Sequence, residues 1–233
     1  MAVQILEHYD RDYYRSHVER YLRRTRFTRH RLANVFGLLG DVSGWRVLDI
    51  GCGMGTFTIE SSLRGAHAIG LDPSLAAGVT GRDLAARLGA RNAVFIAGDA
   101  AVLPLADATF DAVICADLTE HLDDPTLADV LAEVARVLRP GGVLALYTPS
   151  PSHLFERLKA RNWLLRQDPS HIGLRPMEEL LEVVRAAGLE VVRAYYRPTH
   201  IPLFRAVEQV LARIPKIGGL FRRRICIRAR KPA

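Results

Sequence analysis

Apolar residues recur at two different spacings along this chain, and the spacing changes wherever one element gives way to the next. Between 15 and 39, Val18, Tyr21, Leu22, Leu32, Val35, Phe36 and Leu39 fall at three- and four-residue steps, which puts them on one face of a helix with the arginines on the other. After a turn at 41–44, short aliphatic and β-branched runs alternate with helical stretches, the rhythm of a parallel sheet covered by helices. The strands predicted in this way are 46–50, 67–71, 93–96, 111–116 and 143–147, with two more at 189–196 and 224–230. The helix over 126–138 has the clearest stripe (Leu127, Val130, Leu131, Val134, Val137, Leu138), and Pro140-Gly141-Gly142 is read as its end. From 151 to 175 the pattern loosens into an irregular, partly helical insertion, before a helix that opens near Pro176 and stops at Gly188.

Composition narrows this picture. A chain of 233 residues, 49% hydrophobic and 24% charged, fits a single globular α/β domain. It divides into a helical cap at 1–44, a core at 45–150, a covering insertion at 151–175 and a C-terminal helix with strands at 176–233. No apolar run approaches a bilayer span, and the first residues lack the basic and apolar pattern of an export signal, so a cytoplasmic location is expected. Cys52, Cys115 and Cys226 are scattered and odd in number, so neither a disulfide framework nor a metal site is read from them. The formal charge of +7 is concentrated in Arg20, Arg23, Arg24, Arg26, Arg29 and Arg31 and again at 222–224. Those clusters are either solvated helix faces or patches that meet something anionic.

The run VLDIGCGMGTF at 47–57 joins a buried strand to a helix start. Gly51, Gly53 and Gly55 let its backbone turn tightly and approach a ligand. Asp49 stands at the end of the strand, and Asp72 closes the next strand in GLDPS, where a carboxylate can accept hydrogen bonds from both hydroxyls of a ribose. Loop and acid together point to a nucleoside ligand, and alone would equally suit a dinucleotide oxidoreductase.

Three further segments follow in order: AGDAAVLPLADATFDAV at 97–113, ICADLTEHLDDP at 114–125 and LRPGGVLALYTPS at 138–150. With the glycine loop they make 47–193 resemble the class I S-adenosylmethionine-dependent methyltransferases, within them the ubiquinone-biosynthesis-like (methyltransferase type 11) group. The resemblance implies a Rossmann-like, seven-stranded, mostly parallel sheet with helices on both faces, an N-terminal helical extension and a helical insertion after the fifth strand. It implies S-adenosylmethionine as cofactor, held by Asp49, Gly51, Cys52 and Gly53 of the loop and by Asp72 and Pro73 after the second strand. Asp99 and Ala100 match the family's adenine contact, and Ala116 and Asp117 lie where the methionine part is held. Tyr13, Tyr14 and the arginine-rich helix match the region that closes over the methionine carboxylate, with Tyr14 taken as the contact.

Methyl transfer from a sulfonium needs positioning more than catalytic groups, but a hydroxyl acceptor must lose its proton. Glu120 and His121 follow directly on the fourth strand, where the family places residues facing the transferred methyl and the substrate; His171 lies in the insertion that would cover the pocket and resembles a histidine common just before the penultimate helix in this group. All three are candidate catalytic residues, with either histidine as base, although His121 would equally serve to orient the helix after it. His153 is read as an exposed loop residue. Several relatives carry an acid near the end of the fifth strand, where this chain has Thr148, which weakens the choice of base.

The expected acceptor is a small molecule, with a hydroxyl as the receiving group. Two other readings stay open: an RNA methyltransferase using the basic ends, or a non-catalytic S-adenosylmethionine-binding protein. ADLTEHL stands where exocyclic-amine nucleic-acid enzymes carry an Asn-Pro-Pro-Tyr-like motif, which argues against a nucleic-acid partner. Between 201 and 221, Leu203, Phe204, Val207, Val210, Leu211 and Ile214 form one helical face beside Arg205, Arg213 and Lys216. That face is expected to pack on the domain. The other reading is a peripheral membrane contact through 201–224, which would point to a quinone or other lipid-linked acceptor.

Overall fold

A computed structural model of the chain describes residues 11–160 and 168–233; the sequence readings at 1–10 and 161–167, and the side chains of Tyr13 and Leu203, lie outside them. Helices α1 (Arg11–Leu22) and α2 (Arg26–Leu39) precede β1 (Arg46–Ile50), α3 (Thr56–Leu63), β2 (His67–Asp72), α4 (Leu75–Leu88), β3 (Ala93–Ala97) and β4 (Phe110–Ala116). A 3-10 turn (Thr119–His121) leads to α5 (Asp124–Val137), β5 (Leu138–Pro149) and α6 (Leu154–Ala160). Then come α7 (Met177–Ala186), β6 (Glu190–Arg197), α8 (Pro202–Leu211) and β7 (Arg224–Arg230). The strands make one sheet in the order β3-β2-β1-β4-β5-β7-β6, in which only β7 runs antiparallel to its neighbours. This is the seven-stranded, Rossmann-like arrangement that the resemblance implied.

Side chains alternate across the central strands, so each face of the sheet has its own core. Leu48, Ile50, Val113, Leu144, Leu146, Ile225 and Ile227 pack with the apolar stripes of α5 and α7 on one face. Val47, Ala112, Ile114, Ala145, Tyr147 and Cys226 pack under Leu32, Val35, Phe36 and Leu39 of α2 on the other. Strand order reverses between β1 and β4, because β1 is followed in space by β2 on one side and by β4 on the other. The chain therefore leaves the carboxyl ends of these two strands in opposite directions and opens a crevice there.

Three sequence expectations change. The single helix read over 15–39 is two, because Arg24 adopts a left-handed conformation (φ 47°) and Thr25 caps the second helix, accepting from the Thr28 N–H at 3.3 Å. The helix read to Leu138 stops at Val137: Leu138 already has strand geometry (φ −65°, ψ 134°) and pairs with Phe110, and Pro140 disfavours helix at Arg139. The Pro-Gly-Gly turn is thus part of the start of β5. Finally, Phe204, Val207 and Val210 of α8 do not pack on the domain, since all three side chains are exposed. Helical periodicity identifies an apolar face but not what covers it.

Candidate functional site

The crevice is a cavity of about 480 Å³ lined from the glycine loop, the ends of β2, β4 and β5, helices α1 and α2, and the insertion. Its floor is the loop after β1. Gly51 has φ +65°, and a Cβ there would stand 2.9 Å from Leu118. Gly55 (φ +82°) ends the loop by opening α3 in the left-handed region, with the Phe95 ring filling the space a side chain would need. Backbone conformation and packing thus both demand glycine at these two positions, and Gly51 and Gly53 line the cavity.

Two carboxylates hold this loop in shape. Asp49 lies beneath it, fully buried, accepting from the Thr58 N–H at 3.0 Å and the Thr58 hydroxyl at 2.7 Å. Asp72 spans the next turn, its Oδ2 accepting from Gly53 N–H at 2.8 Å and its Oδ1 from Ser74 N–H at 2.9 Å. Each Asp72 oxygen keeps a further acceptor position, and the residue lines the cavity, so it can receive a pair of hydroxyls.

Of the cofactor residues read from sequence, Gly51, Cys52, Gly53, Asp72, Pro73, Ala116, Asp117 and Tyr14 line this cavity together. Asp49, Asp99 and Ala100 are not among its lining residues. Asp99 is exposed two residues beyond β3, where its Oδ1 accepts from Ala101 N–H at 2.9 Å. Gly98 N–H in turn bonds the Asp72 carbonyl at 3.2 Å, which keeps the Asp99 turn beside the end of β2.

Sequence reasoning missed what Asp117 does at the cavity wall. It takes a left-handed conformation (φ 54°), and its two carboxylate oxygens face two arginines at 2.6 Å each, Arg31 from α2 and Arg224 from β7. Burial alone would raise the Asp117 carboxyl, but Arg224 and Arg31 outweigh it and hold it below the ordinary range. Two guanidiniums against one carboxylate leave one positive charge in excess at this wall. Arg31 belonged to a recognised basic cluster, but nothing in the sequence tied it to a residue so far along the chain.

At the acceptor end, the three candidate catalytic residues come together. Side-chain donor atoms of Glu120, His121 and His171 all lie within 4.8 Å of one another, and the two imidazole rings meet edge to face at 4.9 Å. Thr119 donates to Thr148 and Thr148 to Glu120 Oε2, each at 2.9 Å, so the threonine found in place of the family's acid serves to orient one. Burial, with Asp117 nearby, raises the Glu120 carboxyl to about 8, and it is protonated at neutral pH. Burial and the neighbouring His121 lower the His171 imidazole, so that it is neutral there. His121 Nδ1 lies 3.1 Å from the Ser170 carbonyl. A carbonyl can only accept, so Nδ1 carries a proton and Nε2 is the nitrogen that can take up or give a proton. A carboxyl with two imidazoles is also a donor set able to hold a divalent cation.

Arg175, which the sequence did not single out, ties the end of the insertion to the turn after β4. Its guanidinium donates to the carbonyls of Thr119 (3.0 Å), Gly173 (2.7 Å) and Leu122 (2.8 Å) and pairs with Asp124 at 2.6 Å. His153 corrects the reading of an exposed loop residue: it is 2% exposed and lies 3.2 Å from Glu208 of α8.

Two buried acids near the cofactor loop and acceptor end give a pH prediction. Burial lifts Asp49 to about 7 and Glu120 to about 8, whereas both have ordinary carboxyl values when unfolded. The folded state therefore binds these protons more tightly, and the stability they contribute is lost as pH rises through 7 and 8. Burial also lowers His30, His153, His171 and His200, which still bind protons in the unfolded state near pH 6.5, so their opposing contribution fades only as pH rises past about 7. Stability without cofactor, followed by the melting temperature, should thus fall between about pH 7 and 8, by less than ~1.4 kcal/mol per pH unit for each group. Asp49→Asn should flatten the slope in a thermal-shift series; an unchanged slope would remove Asp49 as its cause.

The comparisons with known proteins agree with this geometry. A family model described as a methyltransferase domain matches residues 47–142. A ubiquinone biosynthesis O-methyltransferase of Alkalilimnicola ehrlichii is 36% identical over 184 residues, 74% of this chain and 71% of that protein. A sterol 24-C-methyltransferase of Gibberella zeae is 31% identical over 162 residues, 69% of this chain, but the match spans about two fifths (38%) of that longer protein. Among solved structures, a geranyl diphosphate methyltransferase in complex with GPP and sinefungin shares the fold, with a TM-score of 0.64 at 21% identity over 84% of this chain and 75% of that one. With the sheet order, the glycine loop facing Asp72 and a relative at this identity matched over 71% of its length, the chain belongs to the class I S-adenosylmethionine-dependent methyltransferases.

Proposed function

We propose that this protein moves a methyl group from S-adenosylmethionine to a hydroxyl of a small, lipid-linked acceptor, with His121 as the proton acceptor. The observation that carries this reading is the His121 ring, held by the Ser170 carbonyl with Nε2 turned to accept, beside His171 and a protonated Glu120. The cavity residues fit the cofactor: a glycine loop along one side, a carboxylate for the ribose hydroxyls and a positive wall at Arg31 and Arg224 for the methionine carboxylate. Asp99, exposed beside the end of β2, is within the turn that would face the adenine. When bound, S-adenosylmethionine supplies a methyl group activated by its sulfonium for in-line displacement.

The residues of the chain do the rest. Asp72 and the loop fix the donor end, and Arg175 ties the insertion to the turn at the acceptor end. His121 Nε2 takes the hydroxyl proton, and ionised Asp117 nearby stabilises the resulting imidazolium. His171 and Glu120, both neutral at pH 7, border the acceptor without adding a charge that would oppose this. A lipophilic acceptor is supported by the quinone and sterol methyltransferases among the relatives.

The test is product analysis. The full chain with methyl-deuterated S-adenosylmethionine is offered prenylated and unprenylated phenols, and RNA, with and without EDTA. Expected are a deuterated methyl ether on a phenol and an equal amount of S-adenosylhomocysteine, unaffected by EDTA. Label on RNA, or cofactor binding with no S-adenosylhomocysteine from any acceptor, would refute the proposal. Activity lost to EDTA and restored by magnesium would recast Glu120, His121 and His171 as metal ligands.

A further inference from the structure

From α8 and the turn after it, we infer a docking surface for an anionic membrane. Phe204, Val207 and Val210 stand three residues apart, so they occupy about 120° of the helix surface. They are 54%, 46% and 64% exposed, and Ile201, Ile214 and Ile217 continue the apolar strip on either side. Among the described residues, nothing covers it. Arg205, Arg213, Lys216 and Arg222 are exposed along the same segment. The segment's one acid, Glu208, is turned inward and buried, held by His153 at 3.2 Å and by Thr199 N–H at 2.5 Å. The exposed surface thus offers apolar side chains and cations and no anion.

That combination selects the occupant. A second copy docked face to face would bring the same cations together with no carboxylate to meet them. A nucleic acid would use the cations but leave the apolar strip in water. A bilayer of anionic lipid satisfies both, with apolar side chains entering the acyl boundary and arginines at the headgroups.

The surface is also joined to the cavity. The His153–Glu208 contact fixes α8 to the start of α6, and Glu156 and Lys159 of α6 line the cavity. Docking therefore sets the bilayer beside the covering segment, where a lipid-linked acceptor would enter. Only this entry route rests on the proposed acceptor; docking itself stands on the surface.

The experiment is co-sedimentation of the full chain with phosphatidylcholine vesicles, with and without about 30% phosphatidylglycerol, at low and high salt. Expected is binding to the anionic vesicles that is about tenfold weaker for neutral vesicles or at high salt. Val207→Asp should lower it by about tenfold or more, while S-adenosylmethionine affinity stays unchanged and shows that the variant folds. Phe204→Trp should shift its emission to the blue on anionic vesicles. No binding to anionic vesicles at low salt would overturn the inference, as would Val207→Asp binding like wild type, or a wild-type dimer that Val207→Asp dissociates without any vesicle binding. Docking without phenol methylation would leave the surface standing and remove the acceptor proposal; the converse would do the reverse.

Discussion

Asp72→Ala is expected to weaken S-adenosylmethionine binding by at least about a hundredfold, measured by calorimetry on the purified protein. The Asp72 carboxylate lines the cavity and has acceptor positions left after binding Gly53 N–H and Ser74 N–H. Two hydrogen bonds from ribose hydroxyls to an ionised carboxylate are worth about 1.5–3 kcal/mol each, or about 10²–10⁴-fold together. Alanine removes them and also releases Gly53 N–H and Ser74 N–H, so the loop loses one of the two carboxylates that hold it. Asp72→Asn separates these effects, because its amide oxygen can still accept from one backbone N–H while the charge is gone. An intermediate affinity is expected for it. If Asp72→Ala bound the cofactor as wild type does, the ribose role would have to move elsewhere.

The place of Asp72 beside the glycine loop was legible because it depends on neighbours in sequence. β1 and β2 are adjacent and parallel, with Asp49 opposite Gly70, so a loop leaving β1 and an acid closing β2 must meet at one end of the sheet. Glu120, His121 and His171 were found by position in the family pattern, and the fold gathers them because Arg175 ties the insertion back to the turn after β4. Spacing said nothing of Arg175, a single arginine before a proline. The Asp117 pair was hidden for a related reason: Arg224 is 107 residues away and comes from the one antiparallel strand. Local pattern cannot tell which side chain a distant strand will deliver. Periodicity gave α8 its apolar face, and the helix is there, but whether a face is covered depends on packing that no single helix determines.

His121→Asn is expected to lower the rate of methyl transfer by about 10²–10⁴-fold with little change in cofactor affinity. Asparagine fits because its amide nitrogen can take the place of Nδ1 and still donate to the Ser170 carbonyl, now 3.1 Å from the ring. The bond that orients the insertion is kept, and only the Nε2 lone pair is lost. A purely orienting His121 would therefore tolerate the change, and the rate would stay near that of wild type. The companion substitution His171→Asn should cost less, because His171 is held neutral at the edge of the His121 ring and acts on the acceptor through shape. If His171→Asn instead gave the larger loss, the proton would pass to His171, with His121 as the residue that positions it. Single-turnover rates measured with saturating donor and acceptor distinguish the two, because neither substitution touches the Asp72 end of the cavity that sets donor binding.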